Sequence, residues 1–99
     1  MVGKVPAVIA LLTLEIHIPD AHSLKDKRMV VRRLKDRLRS NFNVSVSEVE
    51  HQELWQRSQI GVVTIGSSDS SVRQTLDNAL NDAERCSPEC QVQGTIEII

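Results

Sequence analysis

Five cations at helical spacing, Lys25, Arg28, Arg32, Lys35 and Arg39, are the residues whose types and positions point most clearly to chemistry, the binding of phosphate. Set at 100° per residue they fall within an arc of about 80° that contains no acid. The stretch around them, HSLKDKRMVVRRLKDRLRS from His22 to Ser40, holds eight of the chain's twelve Lys and Arg residues. Against its two acids, Asp26 and Asp36, that is a net +6, while elsewhere four basic residues face eleven acidic ones, a net −7. The 99-residue chain is therefore close to neutral, at −1, with its charge segregated. A solvated helix face usually mixes signs so that residues four apart attract. Here Arg28 with Arg32, and Lys35 with Arg39, repel at a cost of about 0.2–0.5 kcal/mol each. A phosphate-rich partner is the leading explanation. An acidic protein partner, this chain's own acidic half in an oligomer included, and plain solvation are the competing ones. At the start of the same helix, Ser23, Lys25, Lys27 and Arg28 sit beside free backbone N–H groups, where the helix dipole disfavours cations but suits a bound anion.

Other groups give less. His17, His22 and His51 are far apart in sequence and lack metal-ligand spacing. Glu48, Glu50 and Glu53 with His51 could be acid–base groups, but no nucleophile motif accompanies them. Cys86 and Cys90, in CSPEC, fall short of the four ligands of a structural zinc site, and read as free thiols at a helix end or as a small disulfide loop. The serines of SSDSS lack a glycine-rich loop with its Lys and serve as a helix entry. No catalytic residue, metal or cofactor is expected, and the chain does not read as an enzyme. One Phe, one Trp and no Tyr make binding through a series of stacked rings hard to build. Trp55, beside Leu54, reads as a core plug or else an interface anchor.

The elements follow from periodicity. Val8, Ala10, Leu12, Leu14, Ile16 and Ile18 alternate with residues that turn from apolar to polar, a first strand with one face wholly buried. Ser23 and Asp26 cap a helix from Leu24 to Asn41 whose apolar arc is Leu24, Val30, Val31, Leu34 and Leu38. Val44 and Val46 alternate with serines in a second strand that Glu48 interrupts, by a bulge or an end. IGVVTIG (Ile60 to Gly66) is a third strand. Val72, Leu76, Ala79, Leu80 and Ala83 mark a second helix that runs to Arg85 and is stopped by Pro88. QVQGTIEII is a fourth strand, with Val92, Ile96 and Ile98 inward. The apolar VPAVIALLTL near the start is too short to span a bilayer and lacks a cleavage site, so it reads as structure and the expected compartment is the cytoplasm.

The order β-α-β-β-α-β is the ferredoxin-like plan, a single α+β domain over residues 1–99 with both helices on one face of a four-stranded antiparallel sheet. The other face is left uncovered. Its apolar residues Ile9, Leu11, Val63 and Ile65 are the expected interface of a homodimer or higher oligomer.

The pieces SLKDKR, FNVSVSEV and LWQR followed by a GV strand resemble, in order and spacing, the YlxP-like proteins, a family of small bacterial proteins built on a domain of unknown function. The resemblance covers the whole chain. It implies a ferredoxin-like fold, no established enzymatic activity and a genomic setting near factors of translation and ribosome maturation. Carried onto this chain, the motif residues are Ser23, Leu24, Lys25, Lys27, Arg28, Phe42, Asn43, Val44, Ser45, Val46, Trp55 and Gln56. The cysteines are no part of it. The expectation is a non-catalytic cytoplasmic module for RNA or a ribosomal particle, with no membrane or DNA partner. The alternative is a regulatory or homo-oligomeric domain holding a small ligand between subunits near Glu15 and His17.

Overall fold

Strand β1 (Val8–His17) is the centre of the architecture in the computed structural model, which describes residues 6–86 and 88–99. Helix α1 (Leu24–Asn41), strands β2 (Ser45–Glu50) and β3 (Arg57–Gly66), helix α2 (Asp69–Glu84) and strand β4 (Gln91–Ile98) follow in the expected order. The sheet runs β2-β3-β1-β4, antiparallel throughout, so the two central strands are β3 and β1. This is the ferredoxin-like arrangement.

The even residues of β1, Ala10, Leu12, Leu14 and Ile16, are buried together with Ile60 and Val62 of β3. Val30, Val31, Leu34 and Leu38 of α1 and Val72, Leu76, Ala79 and Ala83 of α2 close over them. Each buried Val, Leu or Ile contributes roughly 1.5–3 kcal/mol by leaving water, and the alanines less, which makes this layer the main source of stability. Both helices start on a serine. Ser23 Oγ accepts from the Asp26 N–H at 3.0 Å while the Asp26 carboxylate takes the His22 N–H at 3.0 Å, and Ser68 Oγ accepts from the Ser71 N–H at 3.2 Å. Helix α2 lies close against β4 at Gly94, where a Cβ would come within 2.6 Å of Leu80.

Two differences from the sequence-based expectation matter for the site. Strand β3 begins at Arg57, three residues before the apolar run, because Arg57 and Ser58 pair with His17 and Ile16 of β1, with Ser58 buried and hydrogen-bonded. And Lys27, expected at an anion site on the helix start, is completely buried. It stands one turn before Val30 and Val31, in line with Leu34 and Leu38, so it occupies an inward position of the helix. Its ammonium donates to the backbone carbonyls of His51 at 2.6 Å, Gln52 at 3.2 Å and Arg57 at 3.3 Å, and lies 2.9 Å from Glu48 Oε2. No donor remains for an external anion, so the helix-start anion site is left with Ser23, Lys25 and Arg28, and the Ser23 hydroxyl already caps the helix.

Regular alternation in β2 supplies Lys27's counter-ion. Glu48 follows Val44 and Val46 on the inward face, opposite buried Ile60, where its carboxylate also accepts from Ser58 Oγ at 2.5 Å, and the register with β3 shifts only after it, between Glu48 and Glu50. Beyond the bulge, His51 takes a left-handed conformation (φ 65°) that is uncommon for a residue with a side chain. Its carbonyl is held by Lys27 and by the Leu54 N–H at 3.1 Å. Gln56 ties the other limb of the hairpin, donating from Nε2 to Pro19 O at 3.0 Å and Ala21 O at 3.2 Å while its carbonyl accepts from the Ile18 N–H at 2.8 Å. The hairpin tip is thus bonded to the body of the protein on both sides.

Candidate nucleic-acid interface

The structure sorts the eight cations of α1 by direction. Lys27 goes inward, as above. Arg33 and Arg37 go sideways toward the second helix and the segment after it: Arg33 pairs with Glu89, and Arg37 makes a two-pronged pair with Asp82 at 2.8 and 3.0 Å. The hydrogen bond from Arg37, more than its charge, holds the Asp82 carboxyl below the usual carboxylate range, against the opposing effect of partial burial. The same bond raises the Arg37 guanidinium.

The remaining five are the predicted stripe, and four of them share a groove. Arg28, Arg32, Lys35 and Arg39 line a concavity of about 360 Å³ between α1 and β2, together with Val31, Asp36 and Glu48. Lys25, exposed one turn earlier on the helix, is not part of its lining. Among the described residues no carboxylate comes within salt-bridge distance of Lys25, Arg28, Arg32 or Lys35. Arg39 is more constrained. It donates to Val46 O at 2.9 Å and stands 3.7 Å from Asp36, which anchors it to the β2 edge. The groove therefore presents guanidinium and ammonium donors in a row along a helix, with spacing fixed by the backbone, and such donors meet phosphate oxygens without needing to break internal pairs.

The other expected sites are placed as follows. Glu48 is engaged by Lys27 and Ser58, Glu50 lies exposed on the opposite sheet face across from Gln59, and Glu53 sits in the hairpin tip, so the three do not converge. Glu15 and His17 border a recess of about 190 Å³ with Arg57, Gln91 and Gln93. Glu15 already accepts from Gln59, and the recess is smaller than the roughly 300–1,000 Å³ of usual small-ligand sites. Cys86 is half-buried and Cys90 buried, both as free thiols. Burial, then a hydrogen bond with Cys86, pushes the Cys90 thiol up to about 12. The folded state thus holds this group neutral, a contribution to stability present below the ordinary thiol range of about 8.5 and lost as pH rises above it. A thiol titration with a disulfide reagent at about pH 8 is expected to modify Cys90 only after unfolding.

The uncovered sheet face is graded. At one end Ile9 stands opposite Ile65 and Leu11 opposite Val63, with Ile65 54% and Ile9 40% exposed. At the other, His17 stands between Arg57 and Gln91. Sequence reasoning left one residue there unresolved. Trp55 is 53% exposed and Leu54 46%, so neither plugs the core. With His17, Glu53, Gln56 and Arg57 they border a concavity of about 580 Å³. No local sequence signal separates a buried from a displayed Trp in such a loop, since the bonds that hold the loop come from Lys27 and Gln56.

Comparison with known proteins agrees with the fold and names a family. The chain is 38% identical over 73 residues to the uncharacterized protein YlxP of Bacillus subtilis, covering 74% of this chain and 79% of that one. Among solved structures it is similar to a C-terminal segment of the alpha subunit of aIF2 from Pyrococcus abyssi, with a TM-score of 0.59 and 17% identity over 95% of this chain. There it spans about half, 52%, of the other chain's length. It is also similar to a de novo designed protein with ferredoxin fold, with a TM-score of 0.57 and 8% identity over 91% of this chain and 85% of the other. At these identities the structural likenesses concern the fold alone. Residues 9–95, from the first strand into the last, match the family described as a protein of unknown function, DUF503, and the chain belongs to that family.

Proposed function

We propose that this protein is a non-catalytic cytoplasmic module that binds RNA or a ribosomal particle, with the exposed face of α1 against phosphates. The observation that supports it is the sorting of charge on one helix: cations useful to the fold are buried or paired, while Lys25, Arg28, Arg32 and Lys35 form no ion pair among the described residues and three of them, with Arg39, line one groove whose two acids, Asp36 and Glu48, face Arg39 and Lys27. A helix serving only solubility has no reason to keep its unpaired charges of one sign on one side. Among the described residues no helix is long and apolar enough to cross a membrane. The test is retrieval of the tagged protein from cell lysate with and without RNase. RNA or ribosomal particles recovered only without RNase support the reading, and recovery of an identical set of proteins after RNase overturns it.

The same reading includes a homodimer through the apolar end of the open sheet face, where Ile9, Leu11, Val63 and Ile65 are contiguous. Light scattering at micromolar concentration is expected to give twice the chain mass of 11.1 kDa. Ile65→Glu, at the most exposed of the four, is expected to return it to one chain mass with unchanged circular dichroism. A wild-type protein of one chain mass would rule the dimer out.

A further inference from the structure

We propose that the concavity beside Trp55 seats one unpaired nucleobase of the RNA, with the indole ring as its stacking surface and Arg57 and His17 beside it. This rests on the RNA reading above and adds what the phosphate groove lacks, a means of distinguishing unpaired from paired RNA. Base-paired, stacked nucleotides offer proteins mainly backbone and groove shape, whereas a splayed base offers its whole face to an aromatic ring.

Three observations carry it. The first is display. Trp55 and Leu54 stand more than two-fifths exposed on a hairpin tip whose backbone is bonded to Lys27 on one limb and to the 18–21 turn on the other. A loop so tied holds the ring out at little ordering cost on binding. The second is continuity. Lys27 belongs to the first turns of α1, between Lys25 and Arg28, and its ammonium reaches both Glu48, which lines the basic groove, and the carbonyl of Arg57, which lines the concavity. Through this buried contact the first turns of α1 and the hairpin that carries Trp55 are packed side by side. The third is the lining. Arg57 supplies donors suited to a phosphate or a base edge, and Glu53 is an acceptor suited to an exocyclic amino group but not to phosphate. One ring gives one seat, in keeping with a chain that holds a single Trp and no Tyr. A second copy of the chain is better served elsewhere. The apolar patch around Ile9 and Ile65 lies at the other end of the same strands, about 27 Å away for eight residues of extended chain.

Trp55 is the sole Trp, so intrinsic emission reports this ring alone. The full chain is titrated with two RNAs of equal length, a blunt duplex and a hairpin with an unpaired loop, and affinity is read by anisotropy of labelled RNA in a parallel series. The hairpin is expected to quench the emission and the duplex to leave it unchanged. Trp55→Ala should weaken hairpin binding about 5- to 150-fold and leave duplex binding as it was, while Trp55→Phe keeps most of the hairpin affinity. Hairpin binding unchanged in Trp55→Ala, with emission unmoved in the wild type, overturns the base seat and leaves the phosphate groove standing. Absence of binding to either RNA overturns both. Emission that shifts with protein concentration before RNA is added makes Trp55 a self-association anchor, and this too overturns the seat.

Discussion

Lys27→Met is expected to lower the melting temperature by about 12–24 °C. The substitution keeps a long side chain to fill the space, so the loss isolates the ammonium. That group meets three carbonyls and one carboxylate from a fully buried position, and nothing in the surroundings replaces it. Removing one member of a buried pair costs about 3–5 kcal/mol. Glu48 keeps 16% side-chain exposure and so some water, which places the loss near the lower bound, about 3 kcal/mol. Thermal denaturation followed by circular dichroism reads it. Because part of the loss is an orphaned carboxylate, Glu48→Gln added to Lys27→Met should recover some of it, a non-additivity expected of residues in contact. Lys25→Met, two residues away on the exposed side, should change stability by no more than about 0.5 kcal/mol. A shift under about 4 °C for Lys27→Met would mean that the hairpin tip is held by other contacts.

The triple change Arg28→Glu, Arg32→Glu, Lys35→Glu is expected to abolish RNA binding while leaving the fold intact. None of the three side chains belongs to the buried layer or to an ion pair among the described residues, so circular dichroism and melting temperature should stay near wild type. At least three phosphate contacts would be lost and replaced by repulsion. The pair Arg33→Glu, Arg37→Glu is the matched control. It reverses two charges on the same helix where the triple variant reverses three, but breaks the pairs with Glu89 and Asp82, so it should lower stability slightly and reduce RNA affinity by far less than two-thirds of the triple variant's loss. Equal loss of binding in the two variants would mean that overall charge, not the groove, attracts the partner.

Much of the architecture was legible because local signals agreed with it. Helix α1 runs from Leu24 to Asn41 as read, since Ser23 with Asp26 fixes its start and the apolar period fixes its face. The even residues of β1 from Ala10 to Ile16 are buried as their alternation implied, with Val8 partly so, and the register shifts just after Glu48. What failed to show was polar burial. Lys27 stands at the spacing of Val30, Val31, Leu34 and Leu38, but its charge disguised an inward position, because the groups that satisfy it lie 21 to 30 residues away. Ser58 hid the first residues of β3 for the same reason, its partner being Glu48 across the hairpin. Helical spacing placed the stripe on one face, and Arg28, Arg32, Lys35 and Arg39 do share a groove. It could not foresee that Arg39 would bond the backbone of Val46. Nor could it place Trp55, whose exposure is set by long-range ties to the loop.

The salt dependence of binding to structured RNA tests the phosphate groove most directly. If Lys25, Arg28, Arg32 and Lys35 each neutralise one phosphate, log K against log salt should fall with a slope of about −2.8 to −3.6, from roughly 0.7–0.9 per contact. A contribution from Arg39, turned away from Val46, would steepen it to about −4.5. A slope near zero, or binding by the folded triple variant equal to that of the wild type, would contradict a phosphate-contacting role for this helix.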